Sequence, residues 1–302
     1  MPKITELGYL GVYISDPKAW KEYATEVVGF EWLDDGEGDR FYLRMDEWHH
    51  RIALHVNGKD DLAYLGLRVA GQDELKEMED HLRSMEVPHR VCSEKECEER
   101  HVLGLIKLED PSGNPLELFH GPHLEPAMPF YPGRRMFGRF YTGAGGIGHT
   151  IIRSDNVDAS QQFYSRVLGM RGTVEYKLSV PGHGKVTPYF MHCNERDHSI
   201  AFGLGPMEKR INHLMIESND LDDVGYTYDI VKQRNIPIAI TLGKHTNDRM
   251  LSFYMVNPSG WLLEYGSGAR PSTHQTEYYT KDIWGHEFQM PATMGMADRG
   301  RL

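Results

Sequence analysis

The second half of the chain begins with apolar positions whose spacing changes from that of a strand to that of a helix. Gly148–Met170 reads GHTIIRSDNVDASQQFYSRVLGM, in which an apolar run, a Ser-Asp pair and a helically spaced apolar stripe follow one another. Asp155 is the predicted N-cap of this helix, and Gly169 is its predicted end. Alternating apolar positions then predict five strands, at 188–192, 199–204, 211–217, 251–256 and 261–265.

The first half of the chain contains the same pattern in the same order. Tyr9–Phe30, YLGVYISDPKAWKEYATEVVGF, matches the opening strand and helix, and three later stretches also match: HHRIAL with DHSIAF, LAYLGL with INHLMI, and DPSGNPLELF with NPSGWLLEYG. The four matches keep a nearly constant spacing of about 140 to 150 residues, which indicates two copies of one module. A second helix is predicted in each copy, over Asp73–Met85 and Asp222–Arg234.

The repeat predicts an α+β fold in which each module is a mostly antiparallel sheet. Each copy runs strand, helix, several strands, second helix and strands, and a Pro-Ser-Gly turn at 111–113 or 258–260 precedes the last strand. Glu125–Gly138, EPAMPFYPGRRMFG, is rich in proline and glycine and reads as the linker. We therefore expect one module over 1–135 and a second over 136–302.

Two histidines of the second copy stand where the first copy has other residues. In the sequence alignment His149 falls opposite Leu10, and His213 falls opposite Tyr64. A lone buried histidine is more often structural than a ligand, but a histidine needed only for packing could be replaced as it is in the first copy. The difference between the copies therefore points to a function for both histidines.

A carboxylate completes the set, because Glu264 lies on a third predicted strand and matches Glu117 of the first copy. If the sheet curves, the three side chains converge on its inner face. Two imidazoles and one carboxylate on one side of an octahedron leave three positions open, which suits a non-haem Fe(II) site that binds a substrate and dioxygen together. His149, His213 and Glu264 are the predicted metal ligands, and Mn(II) would accept the same set.

Further polar side chains fall near these strands, where an apolar sheet does not need them: His198, His245, Asn247, Asp248 and Tyr254. A neutral histidine accepts a proton near pH 7, and a tyrosine hydroxyl can donate to a substrate oxygen. His198 matches His50 of the first copy, so the repeat does not separate function from packing at this position. We treat the five residues as candidates for the chemistry around the metal.

Composition narrows the class of protein. The net charge of −11 argues against nucleic acid or an anionic membrane surface as a partner, because both require clustered Lys and Arg. No apolar stretch approaches the roughly 20 residues of a spanning helix, and the first residues lack the pattern of a secretory signal. The 3 cysteines, an odd number, fit a reducing compartment, so we expect a cytoplasmic protein.

These motifs together resemble the two-module type I extradiol ring-cleavage dioxygenases of the vicinal oxygen chelate superfamily. The resemblance extends over nearly the whole chain, through ELGYLGVYISDPKAW, LEDPSGNPLELFHGP, TGAGGIGHTIIRSD, KRINHLMIE and DIWGHEF. His245–Gly266 is the most specific part, because it contains the long signature of the family in unbroken order. The chain is most similar to the branch that cleaves 2,3-dihydroxybiphenyl and 1,2-dihydroxynaphthalene.

The resemblance implies modules built of paired βαβββ units, each a curved sheet flanked by helices, with the metal in the second module only. It implies that His149, His213 and Glu264 bind Fe(II), and it assigns the acid/base step to His198. It also implies that His245 and Tyr254 hydrogen-bond the catecholate, and that Asn247 and Asp248 support the loop behind it. The pocket would be lined by Ile151, Phe190 and Phe202.

The implied activity is that of an oxidoreductase of aromatic hydrocarbon catabolism, which opens a bicyclic or 3-substituted catechol with dioxygen as co-substrate. The expected partners are a catecholic small molecule and further copies of the chain, which form an octamer in the most similar branch. Tyr176–Thr187 and the C-terminal tail depart from the family pattern, which leaves the substrate itself open.

Two other functions remain open on the same fold. A metal-dependent glyoxalase or epimerase would draw its ligands from both modules, which Leu10 and Tyr64 disfavour. A ligand-sequestering binding protein would need a cleft but no His-His-Glu set. A count of one iron per chain would favour the dioxygenase, and protein purified without metal would favour the binding protein.

Overall fold

Two large curved sheets make up most of the chain. A computed structural model describes residues 3–36, 38–180, 184–273 and 277–289. Within these residues an eight-stranded sheet comes from the first half of the chain and a ten-stranded sheet from the second half. Every helix in the described part is too short or too polar to cross a lipid bilayer.

The first sheet is built of two βαβββ units. Its strands are β1 (Glu6–Ile14), β2 (Glu31–Asp34), β3 (Arg40–Arg44), β4 (Ile52–Val56), β5 (Leu62–Arg68), β6 (His89–Val91), β7 (Val102–Glu109) and β8 (Pro115–Pro122). Its helices are α1 (Pro17–Glu22), which continues as the π-helix Tyr23–Val28, α2 (Gln72–Ser84) and α3 (Glu94–Glu99). The strand order is β2-β3-β4-β1-β5-β8-β7-β6, so the two units meet where β1 pairs antiparallel with β5.

The second sheet repeats this plan. Its strands are β9 (His149–Ile152), β10 (Arg171–Tyr176), β13 (Tyr189–His192), β14 (Ile200–Phe202), β15 (Ile211–Ser218), β16 (Ile238–Lys244), β17 (Leu251–Val256), β18 (Leu262–Ser267), β19 (Glu277–Tyr279) and β20 (Trp284–Gly285), while β11 (Leu178–Val180) and β12 (Gly184–Val186) form a separate hairpin. Its helices are α4 (Val157–Gln162), continued by the π-helix Phe163–Val167, and α5 (Leu221–Gln233). The five predicted strands and both predicted second helices are confirmed, with shifts of one or two residues at their ends.

The N-cap of the first helix in the second module is Asn156, and the prediction of Asp155 was wrong. The Asn156 side chain accepts a hydrogen bond from the backbone N–H of Ala159 at 3.0 Å. Asp16 makes the same bond to Ala19 at 2.9 Å in the first module. The two Ser-Asp pairs are therefore not equivalent. The N-cap of α1 is the Asp of its pair, whereas the N-cap of α4 is the residue after the Asp.

Strand pairing moves the alignment of the first strands by the same single residue. β1 pairs in parallel with β4, where Leu10 lies opposite Ile52. β9 pairs in parallel with β14, where Thr150 lies opposite Ile200. The two isoleucines occupy the same place in the repeat, so Leu10 corresponds to Thr150. The counterpart of the histidine that opens β9 is therefore Tyr9, and the earlier match with Leu10 was wrong. The inference survives, because Tyr9 is not an imidazole either.

The C-terminal segment gives the second sheet two strands that the first sheet lacks within the described residues. β19 pairs in parallel with β10, and β20 pairs antiparallel with β16. β10 and β16 are the outer strands of the two βαβββ units, so residues 277–285 run from one edge of the curved sheet to the other. We call this segment, residues 277–285, the strap.

The two modules share one apolar core. Trp20 of the first module packs against Trp261 of the second with ring centroids 5.8 Å apart, and its indole N–H donates to Ser259 Oγ at 2.9 Å. Residues 125–138, the predicted linker, form neither helix nor strand, and Arg134 within them donates to the backbone carbonyl of Val27 at 2.8 Å. The first module is therefore part of the scaffold that holds the second.

Three imidazoles stack at the edge of the first sheet. The rings of His49 and His101 lie 3.6 Å apart at 14°, and the ring of His123 lies 5.7 Å from that of His49. Burial, the neighbouring His101 and His123, and Arg44 lower the pKa of His49 to about 3. The stack thus holds His49 in its neutral form.

This stack predicts a loss of stability in mild acid. The unfolded chain protonates His49 near pH 6.5, whereas the folded chain protonates it only near pH 3. The contribution of neutral His49 to the free energy of unfolding is therefore complete above pH 6.5 and is lost as the pH falls towards 3. His49→Gln removes this difference and should flatten the pH dependence of the free energy of unfolding, measured by urea titration, by less than about 1.4 kcal/mol per pH unit, since the ring is partly exposed. His81→Gln, at the surface, is the control. An unchanged slope for His49→Gln would contradict the expectation.

Candidate metal centre and active site

Three side chains from three adjacent strands meet on the inner face of the second sheet. His149 begins β9, His213 lies on β15 and Glu264 on β18, and the strand order places these strands side by side. Glu264 Oε2 lies 3.2 Å from His149 Nε2 and 3.4 Å from His213 Nε2, and the two nitrogens are 3.3 Å apart. The ligand atoms therefore form a nearly equilateral triangle. All three side chains are buried, so the triangle is shielded from solvent.

The protonation states of the three groups suit a divalent cation. Burial lowers the pKa of His213 to about 4 and holds that of His149 well below its ordinary value, so both rings are neutral at pH 7. Burial raises the pKa of Glu264, but the contacts with His149 and His245 outweigh it and keep the carboxyl ionised. Two neutral imidazoles therefore face one carboxylate charge.

The triangle has the size that a metal ion needs. Metal–ligand distances of about 2.1 Å in an octahedron place neighbouring ligand atoms about 3.0 Å apart, close to the observed edges. Glu264 Oε2 is buried without a hydrogen-bond partner among the described residues, although it faces two ring nitrogens. His213 Nδ1 is held by Asn212 Oδ1 at 2.9 Å, which turns Nε2 toward the centre. The residues present thus fit a metal with a facial His-His-Glu set.

His198 lies beside the triangle, in the turn that precedes β14. Its ring centroid is 3.9 Å from that of His149, and its Nδ1 contacts Asp197 Oδ1 at 3.0 Å. Its Nε2 is buried and has no hydrogen-bond partner among the described residues. The ring is therefore fixed through Nδ1, and ligand atoms of His149, His198 and Asp248 lie within 4.8 Å of one another.

His245 and Tyr254 form a second polar group beside the triangle. His245 Nε2 lies 2.8 Å from the Tyr254 hydroxyl and 3.2 Å from Glu264 Oε1. Burial and the charge of Glu264 raise the pKa of Tyr254 well above its usual range, so the hydroxyl stays protonated. Burial lowers the pKa of His245, but contacts with Asp282 and Glu264 raise it well above normal.

Comparisons with known proteins identify the family. Residues 146–265 match the glyoxalase/bleomycin resistance protein/dioxygenase superfamily, and residues 7–56 match the family dihydroxybiphenyl dioxygenase BphC D1. The chain is 58% identical to a biphenyl-2,3-diol 1,2-dioxygenase of Sphingomonas paucimobilis over 95% of each chain. It is 56% identical to a 1,2-dihydroxynaphthalene dioxygenase of Sphingobium xenophagum over 95% of this chain and 96% of the other.

The chain belongs to the extradiol ring-cleavage dioxygenases. A crystal structure of a catechol 2,3-dioxygenase superposes on this dioxygenase with a TM-score of 0.95 at 53% identity, covering 97% of this chain and 98% of that one. The predicted fold class, two tandem vicinal oxygen chelate modules of paired βαβββ units, is confirmed, as is the enzyme class. Similarity to dioxygenases over nearly the whole chain disfavours the glyoxalase and the binding protein.

The three residues predicted to line the pocket lie on opposite faces of the second sheet. Ile151 and Phe190 pack together beside the site with Ala201 and Tyr176, and the Phe190 ring lies 4.7 Å from that of His198. Phe202 was also predicted to line the pocket, and this was wrong. Successive strand residues face opposite sides, so Ala201 faces the site.

Phe202 lies on the face of β14 that is turned away from the site. Phe202 is fully buried and stacks on Tyr164 of the π-helix, with ring centroids 5.7 Å apart. Tyr189, also on this face, lies 6.1 Å from Phe202. The side chain therefore belongs to the core between sheet and helix.

Asn247 and Asp248 lie in the short loop between β16 and β17, behind His245. Asn247 Oδ1 accepts from the Tyr176 hydroxyl at 3.2 Å, and Asp248 Oδ1 accepts from the backbone N–H of Met250 at 2.9 Å. Both side chains are buried. Their contacts fix the loop that carries His245.

In the first module a guanidinium contacts the carboxylate that matches Glu264. Tyr9, Tyr64 and Glu117 stand at the three ligand positions, and the Tyr9 hydroxyl donates to Glu117 Oε2 at 2.7 Å. Arg100, directly after α3, donates from Nε to both Glu117 oxygens at 3.1 Å and lies 4.2 Å from the centre of the Tyr64 ring. The carboxylate is therefore neutralised within the chain.

Sequence reasoning missed three residues around the ligands. Ser252 Oγ donates to Glu264 Oε1 at 2.6 Å, and Asp282 and His286 contact each other and His245 from the C-terminal segment. Ser252 shares a strand face with Tyr254, so alternation could have found it. The other two lie in DIWGHEF, whose place in the site only the folded chain reveals.

Proposed function

We propose that this dioxygenase holds Fe(II) through His149, His213 and Glu264 and uses dioxygen to open a catechol ring beside its two hydroxyls. The observation that carries the proposal is the buried triangle of three ligand atoms, each about 3.3 Å from the others. Beside it lies His198 Nε2, which has no hydrogen-bond partner in the part of the chain that the structure describes. When bound, the metal supplies Lewis acidity that lowers the pKa of catechol hydroxyls and a redox centre that joins catechol and dioxygen.

His198 is the acid/base of the proposed reaction. Asp197 at Nδ1 favours the tautomer in which Nε2 carries the lone pair and faces the site. This nitrogen can take a proton from the bound catechol and return it to the oxygen–oxygen bond when that bond breaks. The Phe190 edge and the His149 ring hold the imidazole in place.

His245 and Tyr254 hold the catechol oxygens in this proposal. The Tyr254 hydroxyl is a donor at pH 7 because its pKa is raised, and His245 lies within 2.8 Å of it. Donors at this edge stabilise negative charge on the substrate and fix its orientation. Asn247 and Asp248 keep the loop of His245 in position.

The substrate proposed is a bicyclic or 3-substituted catechol, such as 2,3-dihydroxybiphenyl or 1,2-dihydroxynaphthalene. Two highly similar relatives bear the names of enzymes that act on these compounds. The pocket wall beside His198 is aromatic and aliphatic, with Phe190, Tyr176 and Ile151 around the small Ala201. The small Ala201 lets Ile151 and Phe190 pack closely, so a larger residue there would push this wall toward the site.

The size of residue 201 should control this specificity. Ala201→Leu adds volume to the wall and should lower kcat/KM for 2,3-dihydroxybiphenyl about tenfold or more relative to 3-methylcatechol. Phe202→Leu, on the opposite strand face, is the matched control and should change stability without changing the ratio. Steady-state rates with both catechols measure it, and an equal ratio in Ala201→Leu and the wild type would refute the assignment.

The architecture suggests a division of work between the modules. We infer that residues 1–135 form the module without metal and residues 136–302 the catalytic module. We also infer a cytoplasmic homo-oligomer, with an octamer as the expected size. Exposed aromatic side chains support association between copies, since Tyr131 is 78% and Phe288 61% exposed.

Aerobic turnover of a catechol panel by anaerobically iron-loaded protein tests the proposed function. We expect a yellow ring-opened product and uptake of one dioxygen per catechol, fastest with bicyclic catechols, and one iron per chain. Mn(II)-loaded protein, run in parallel, identifies the metal that supports turnover. No dioxygen uptake with any bicyclic or 3-substituted catechol would overturn the proposal.

A further inference from the structure

The strap brings a carboxylate into the active site from the far end of the chain. Asp282 lies between β19 and β20, where the strap crosses from one edge of the second sheet to the other. Its Oδ1 lies 3.0 Å from His245 Nδ1, and its Oδ2 lies 2.9 Å from His286 Nδ1. One carboxylate therefore contacts two imidazoles, and one of these faces the triangle.

The two imidazoles form a layer behind the metal ligands. The rings of His245 and His286 lie 4.1 Å apart, and His286 Nε2 contacts the backbone carbonyl of Ser252 at 3.1 Å. Ser252 Oγ in turn donates to Glu264 Oε1. Asp282 thus stands at the outer end of a network that ends on the proposed metal ligand.

From these contacts we propose that Asp282 is a positioning residue for His245. An ionised carboxylate can only accept, so His245 Nδ1 must carry a proton and donate to it. The ring is thereby fixed with Nε2 facing the Tyr254 hydroxyl and Glu264, where the catechol oxygens would lie. This inference rests on the proposed function, because it assigns a partner to a residue of that site.

Tyr176 and Thr246, which also lie near Asp282 or its neighbour Lys281, make no hydrogen bond to the His245 ring in the described part of the chain. The Tyr176 hydroxyl lies 3.4 Å from Asp282 Oδ1 and contacts Asn247 more closely. The Thr246 hydroxyl donates to the carbonyl of Lys281 at 2.8 Å, which holds the strap without touching His245. Asp282 is a ring partner, and Thr246 only docks the backbone, so the two roles can be separated by substitution.

The first readout is the hydrogen bond that His245 makes through Nδ1, which does not depend on turnover. Nitrogen NMR of 15N-histidine-labelled, metal-free full-length protein reports the hydrogen bonding of each ring nitrogen, and His245→Gln identifies the signal. We expect a hydrogen-bonded Nδ1–H in the wild type and in Asp282→Asn, whose amide oxygen still accepts. Asp282→Ala should shift both ring nitrogens of His245, while Thr246→Val should leave them unchanged.

The second readout is catalysis by the iron-loaded enzyme. Substitution of groups that orient site residues costs about 10- to 100-fold, so we expect this loss in kcat/KM for Asp282→Ala, at unchanged iron content. Asp282→Asn should recover most of it. Catechol affinity measured without dioxygen should weaken in Asp282→Ala, because an unfixed Nε2 no longer meets the catechol oxygen.

Three outcomes would overturn the proposal. They are unchanged His245 ring signals in Asp282→Ala, wild-type kcat/KM in that variant, or an equal loss in Thr246→Val, which would show that docking of the strap alone matters. If the wild type fails to cleave any catechol, the proposed function fails instead. The NMR result then still decides whether Asp282 sets the ring of His245.

Discussion

The Glu264→Gln variant is expected to lose its iron and at least about a thousandfold of its dioxygenase activity, since metal catalysis contributes several kcal/mol to the transition state. The substitution keeps the shape of the side chain but removes the charge that faces two neutral imidazoles. An amide is a far weaker ligand for a divalent cation than a carboxylate. Iron per chain by elemental analysis and dioxygen uptake measure the two effects.

The first module supplies a matched control for this variant. Glu117→Gln makes the same chemical change at the equivalent position, where the carboxylate faces Arg100 and Tyr9. It should lower thermal stability, because a buried guanidinium loses its partner, and leave one iron per chain. Retention of iron by Glu264→Gln, or loss of iron in Glu117→Gln with the fold intact, would refute the assignment of the metal to the second module.

The His198→Ala variant is expected to bind a catechol almost normally but to turn it over about 10² to 10⁴ times more slowly. His198 lies beside the triangle, and its Nε2 has no hydrogen-bond partner among the described residues, but the triangle itself forms without it. Substitution should therefore spare iron binding and the contacts with catechol oxygens. It removes the group that moves a proton between substrate and dioxygen.

Anaerobic catechol titration and aerobic kcat separate these two effects. His50→Ala, at the matching position of the first module, is the control and should keep the wild-type kcat. If His198→Ala retained most of its kcat, or lost catechol affinity as strongly as kcat, the acid/base role would be wrong.

The sequence by itself determined the architecture and the identity of the candidate ligands. Alternating apolar positions located the strands, because a half-buried strand repeats every two residues. The comparison of two copies separated His149 and His213 from packing histidines, even though the true counterpart of His149 is Tyr9. A one-residue slip between copies was invisible in the sequence, since Ser-Asp occurs at both helix starts and only the observed cap and strand register distinguish them.

Only the tertiary structure decided which distant groups complete the two centres. Arg100 contacts Glu117 because it directly follows α3, and Asp282 reaches His245 because the strap joins two sheet edges. No periodic pattern in the sequence predicts either contact, because each joins elements that are distant in the chain and are brought together only when the sheet curves. The side of the sheet on which Phe202 lies was likewise decided by the strand register. A register shift of one residue would move every side chain of the strand to the opposite face. Local pattern determines elements, whereas contacts between distant elements follow from how those elements pack.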